Sequence, residues 1–212
     1  PDQIQKVKSQ ITTSTGRWGA RTAYSVFAAF ANGGQEIEDF ATYLTLTGSA
    51  TYRGSATGVY TEGSGVDYFE GNAMLMANFG APGTDTDPEA DDDEIGTISG
   101  SISGIKVGGV DTTDVISLRE ANIVNAQTAF AGNVRMGPGT IGDDDMVTYK
   151  YNGTWRGNFY GANPAVAATD DAAAIDAAAP DAVAGTFGVT GTEGEGDAAV
   201  THSYVGAFGA RR

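Results

Sequence analysis

Two stretches carry side chains able to do chemistry. The first is the acidic run Asp85-Thr-Asp87-Pro-Glu89-Ala-Asp91-Asp92-Asp93-Glu94. Carboxylate oxygens at this density suit calcium, a hard cation that collects oxygen ligands, and Asp85, Asp87, Glu89, Asp91 and Asp93 are the candidate ligands. The run lacks the glycine and closing glutamate of an EF-hand in register, so its other reading is a solvated, self-repelling loop. The second is His202, the single histidine. A role as a metal or haem ligand needs a second ligand or an apolar slot beside it, for which Met136 and Tyr204 are the candidate neighbours; otherwise it is a hydrogen-bonded structural histidine. Calcium is thus the better matched cofactor and haem the lesser.

Catalysis finds little support. One histidine and no cysteine leave no nucleophile and base to pair. The acidic clusters, including Asp143-Asp144-Asp145 and Asp170-Asp171, sit in loops of like charge without an aromatic cleft for glycoside cleavage. Gly137-Pro-Gly139 follows no phosphate-loop spacing. The chain reads as non-enzymatic.

The elements that must position these residues are strands. In Gly153-Thr-Trp155-Arg-Gly157-Asn-Phe159-Tyr-Gly161, period two puts rings and glycines on one face and mostly polar residues on the other. The same alternation marks Ala50 to Thr61, Phe69 to Phe79, Ile98 to Gly104, Leu118 to Val124, Phe130 to Met136, Val183 to Val189 and Val200 to Phe208. Eight amphipathic strands with short connections predict an all-β fold, an eight-stranded antiparallel up-and-down β-barrel, which leaves no open edge. Its inward rings are Tyr52, Tyr60, Phe69, Phe79, Phe130, Trp155, Phe159, Phe187, Tyr204 and Phe208, enough to fill the lumen rather than leave a cup. The outward parity is polar, Ser99, Ser101 and Ser103 included, which argues against a lipid-facing barrel. Met74, Met76 and Tyr68 are outward exceptions, covered by the first forty residues or forming a partner patch.

Residues 44–212 therefore form the barrel, and residues 1–43 a separate N-terminal extension with a short strand at Ala23 to Ala31. Between the sixth and seventh strands, the alanine-rich stretch Ala162 to Ala182 is either a loop or a short helix capped by Thr169. The formal net charge of −15, from 27 acidic and 12 basic side chains, disfavours nucleic acid and anionic lipid as partners. No apolar run is long enough to span a bilayer as a helix. A start at Pro1 without a signal-peptide pattern suggests a mature or trimmed product.

Gly153-x-Trp155-x-Gly157-x-Phe159-x-Gly161, Val183-Ala-Gly185-Thr-Phe187-Gly188 and the closing Val205-Gly-Ala-Phe208-Gly-Ala210-Arg-Arg212 resemble the C-terminal barrel of transferrin-binding protein B. The likeness is nearest to the transferrin-binding-protein-like solute-binding proteins of Gram-negative bacteria. Ser49 to Tyr60 is similar to the opening barrel strand of that branch, and Phe27 to Gly33 to the end of its handle. The resemblance implies a barrel flanked by a small N-terminal handle-like β segment, displayed on the outer membrane surface or released, with loops that take a solute, haem or a protein. The alternative is a structural subunit or adhesion module of an extracellular filament or surface layer, with residues 1–43 reaching a neighbouring copy.

Overall fold

The computed structural model describes residues 48–80, 94–124, 129–138, 151–161, 180–194 and 196–212. The N-terminal extension with its handle-like segment, the acidic run Asp85 to Asp93, Asp143 to Asp145 and the alanine-rich helix lie outside the described residues.

The alternation of apolar and polar residues produces strands β1 (Gly48–Glu62), β2 (Gly65–Phe79), β3 (Glu94–Val107), β4 (Val110–Asp111), β5 (Asp114–Val124), β6 (Ala129–Pro138), β7 (Tyr151–Tyr160), β8 (Ala182–Glu193) and β9 (Val200–Arg211). Each main strand pairs antiparallel with its sequence neighbours, and β1 pairs with β9, so eight strands close into the expected barrel. The two-residue β4 is an addition, a small flap paired with the end of β3 through Val107↔Val110.

The core is organised in lateral rows. Reading across β2, β1, β9 and β8, one row is Phe69↔Gly58↔Gly206↔Phe187. Across β9, β8, β7 and β6, the next is Phe208↔Gly185↔Gly157↔Phe130. Each row places two glycines between two phenylalanines, and the rings fold inward over the bare backbone. A Cβ built on Gly206 would stand 2.6 Å from Phe69 Cζ and 2.7 Å from Phe187 Cζ, so only glycine admits both rings. All four phenylalanines are buried, and Trp155, Phe159, Tyr52, Phe79 and Tyr204 complete the filling. Tyr60, the tenth expected ring, is only half-buried, because it stands near the end of β1.

Trp155 crosses the strand beside it. Its register partner on β6 is Gly132, where a Cβ would lie 2.6 Å from the indole Nε1, and Nε1 donates to the Arg119 carbonyl on β5 at 3.0 Å. Arg119 sits in a bulge: the β3–β5 register slips between Ile98↔Ala121 and Gly100↔Leu118. The slip takes Arg119 and Glu120 out of regular pairing with β3, and the Arg119 carbonyl receives the indole proton. Among the described residues the β5–β6 ladder ends close by, at Leu118↔Val134.

A second bulge, between Glu70↔Lys106 and Asn72↔Ser103, brings Ile102 and Ile105 both inward. Ser101 departs from expectation. It keeps the outward parity but is buried, set in register between Met74 of β2 and Ser117 of β5. Met74 and Met76 remain about half exposed, as does Tyr68.

The ring-on-glycine rows predict opposite outcomes at two nearby glycines. Gly206→Ala should cost about 1–3 kcal/mol through overpacking, whereas Gly188→Ala, with nothing within 4 Å of the added carbon, should change stability by no more than about 0.5 kcal/mol. Equilibrium urea unfolding of both variants checks this; equal losses would refute the packing account.

Candidate functional site

The inward parity of the strands is apolar through the middle of the barrel and changes character at one mouth. Here Tyr60 and Glu62 end β1, Asp114 opens β5, Tyr151 opens β7, Glu193 ends β8, and His202 and Tyr204 lie near the start of β9. Closure of β1 on β9 brings Tyr60 opposite Tyr204 and Glu62 opposite His202. A residue near the start of the described chain and one near its end thus share a site only because the barrel closes.

Burial and hydrogen bonding fix the geometry. His202 is 7% exposed, its ring facing Tyr60 at 6.0 Å and Tyr151 edge-on at 5.9 Å between centroids. The aromatic rings in contact with it are thus those of Tyr60 and Tyr151. Tyr60 Oη lies 2.7 Å from His202 Nδ1 and 3.1 Å from Glu62 Oε2. A phenol has one proton and a carboxylate only accepts, so both contacts are hydrogen bonds when Nδ1–H donates to Tyr60 Oη and Tyr60 donates to Glu62. That assignment points the Nδ1 proton of His202 at Tyr60. Tyr151 donates to Glu193 Oε1 at 2.8 Å, and the Tyr60 and Tyr204 rings stand 4.6 Å apart.

The electrostatics are one-sided. Burial, first of all, pushes the Tyr60 phenol up to about 12, and its hydrogen bond to Glu62 and the charges of Glu62, Glu193 and Asp114 add to the shift. Burial likewise raises Tyr151, with Glu193 next, and Tyr204, with Tyr60 and Asp114 next. Among the described residues no lysine or arginine shares this inward layer; nearby Lys106 points outward to Asp111, 3.8 Å away. The mouth is a layer of hydrogen-bond acceptors and aromatic faces with negative charge.

Of the residues singled out in the sequence, His202 belongs to this layer. Asp85, Asp87, Glu89, Asp91 and Asp93 lie outside the described residues, and the strand ends that flank them, Phe79 and Glu94, belong to the opposite end of the barrel. Among the described residues, no group of three or more histidine or acidic side chains converges to hold a metal ion. Tyr60, Glu62, Tyr151 and Glu193 were not singled out. Their signal was parity: each falls on the inward face at a strand terminus, where a carboxylate has no reason to be unless the mouth is polar.

A second depression, a cleft of about 690 Å³, lies on the wall where the β5–β6 ladder stops, lined by Glu120, Asn122, Asn133, Arg156 and Asn158 over Gly132 and Gly157. No protein family, no curated protein and no solved structure matches this chain.

The raised phenols set a pH dependence. The folded state holds these protons more tightly than the unfolded chain, so the stability they contribute is complete below pH 10 and is lost as pH rises toward about 12 and beyond. Phenolate absorbance should therefore show a group of tyrosines ionising late and together with unfolding. Titration of all nine as free phenols, ahead of any loss of structure, would contradict it.

Proposed function

We propose that the chain is a non-enzymatic bacterial surface or secreted binding module, of the class its strand motifs resemble, the transferrin-binding-protein-like solute-binding proteins. The observation that carries this reading is the contrast between a lumen filled by stacked rings and a mouth where inward-facing carboxylates, tyrosines and a histidine gather. A filled lumen leaves no internal ligand chamber, which moves recognition to the rim, and a rigid sheet that fixes polar groups at its ends is a common basis for binding. The exposed outer residues of β1, such as Thr51, Arg53 and Ser55, are polar and suit a water-facing wall.

Light scattering should give the mass of a single chain, 21.7 kDa, at all workable concentrations. A thermal-shift screen of cationic, neutral and anionic solutes should yield stabilisation that Glu62→Gln and Glu193→Gln diminish and Glu120→Gln, at the other end, leaves intact. Concentration-dependent growth into oligomers without any stabilising solute would replace this reading with that of an assembly subunit.

A further inference from the structure

We propose that the cleft between β5 and β6 binds a neutral saccharide, as a free sugar or as part of a longer glycan. The site lies at the other end of the barrel from the acidic mouth and goes beyond the reading built on it.

The cleft follows from a broken ladder. Among the described residues, pairing of β5 with β6 stops at Leu118↔Val134. Past that point β5 continues its ladder with β3, and Ala129 to Asn133 continue theirs with β7, but the two edges that face each other share none. The Arg119 carbonyl, thrown out of step by the bulge, takes the Trp155 indole proton instead of a β6 amide. Backbone donors and acceptors along these edges therefore need partners from outside the sheet. Hydroxyl groups can serve, each being a donor and an acceptor at once. An added peptide strand does not fit: a Cβ on Gly132 would stand 3.0 Å from the Ala121 Cβ, whereas a strand needs about 4.8 Å on either side.

The side chains over the gap narrow the class. Asn122, Asn133 and Asn158 bring carboxamides, which donate and accept at neighbouring atoms. Glu120 and Arg156 line the same cleft, yet among the described residues they form no ion pair with each other. Their charges cancel over the site, so neither a small anion nor a small cation meets a lining of one sign. A saccharide carries hydroxyls around a ring whose C–H faces are apolar. The floor suits such a ring, since Gly132 and Gly157 have no Cβ and Ala129 and Ala131 only a methyl. The volume of about 690 Å³ lies within the range of small-molecule sites.

Magnetic resonance titration of the full nitrogen-labelled chain reads the site directly, because the Trp155 indole N–H lies against Gly132. Trp18→Phe assigns the other indole signal. The probes are maltose, cellobiose, lactose and N,N′-diacetylchitobiose, with sorbitol as a polyol lacking a ring and an uncharged hexapeptide for comparison. At least one disaccharide should shift the Trp155 indole and the Gly132 and Gly157 amides to saturation, and sorbitol should bind at least about tenfold more weakly. Tighter binding of a longer oligosaccharide of the same linkage identifies a glycan chain as the source; equal binding identifies a free sugar. Arg156→Met and Asn133→Ala should each weaken the disaccharide by about five- to tenfold. Both side chains are exposed, so the melting temperature should hold, and it reports whether each variant is folded. Thr51→Ala, on the outer wall of β1, should change nothing. The proposal is overturned if none of the disaccharides shifts these signals, if sorbitol binds equally well, if the hexapeptide takes the cleft in preference, or if binding is indifferent to both variants. Any of these results leaves the mouth, and the reading that rests on it, standing.

Discussion

The structure depends on aromatic rings lying against bare backbone inside a closed sheet. The centre of a small barrel cannot hold a bulky side chain from every strand at every level. This chain meets the limit by pairing glycines across neighbouring strands, Gly58 with Gly206 and Gly185 with Gly157, and folding phenylalanines over them from both sides. The two rows share strands β8 and β9, where ring and glycine exchange places: Phe187 and Gly206 in one, Gly185 and Phe208 in the other. Every ring therefore rests partly on a strand other than its own. Trp155 extends the device, since its indole passes Gly132 and ends on the Arg119 carbonyl of β5, linking β7 to β5 by a hydrogen bond between side chain and backbone. These contacts join residues distant in sequence, so the fold is stabilised as a unit rather than hairpin by hairpin.

The same closure makes the mouth. Toward the strand ends the apolar rows give way to Tyr60, Tyr151 and Tyr204, whose ring bodies pack downward while two hydroxyls meet carboxylates. A tyrosine is the residue for such a boundary, apolar along most of its length and a donor at its tip. Burial first, and the nearby carboxylates after it, make these phenols reluctant acids, which keeps the donors in place through the ordinary pH range.

Reading alternate residues recovers a strand only while its ladder is uninterrupted. In β2, β7 and β9 the rings expected inside are buried, Tyr151 of β7 joins them unforeseen, and in β1 Tyr52 is buried while Tyr60 is only half so. In β3 and β5 the parity slips, because a bulge inserts a residue and the next apolar side chain must fall one place out of step to stay inside, as with Ile105 after Ile102 and Ala121 after Leu118. A bulge is set by the partner strand and by needs such as that of the Trp155 indole, neither of which is written in the local sequence. Ser101 was misplaced for a related reason: parity assigns a face, while exposure depends on neighbours across the sheet. The mouth was half legible. His202 stood out as the single histidine, but Glu62 and Glu193 look like ordinary residues beside turns until β1 meets β9 and makes them inward-facing.

That origin bears on what the mouth can do. Its groups are held by strands whose registers are set by ring packing below and by β1–β9 closure around the wall, and their hydrogen bonds to one another are already formed. A ligand arriving there orders little that is not ordered already, so more of its interaction energy remains as affinity. Rigidity has a converse in like charge: carboxylates fixed at one mouth cannot relax away from each other as they would on a mobile loop. Their mutual repulsion is relieved by water and salt. Filling the interior with rings and gathering acceptors at one end are therefore parts of one arrangement, in which the glycine rows supply the stiffness that holds the groups of the mouth in place.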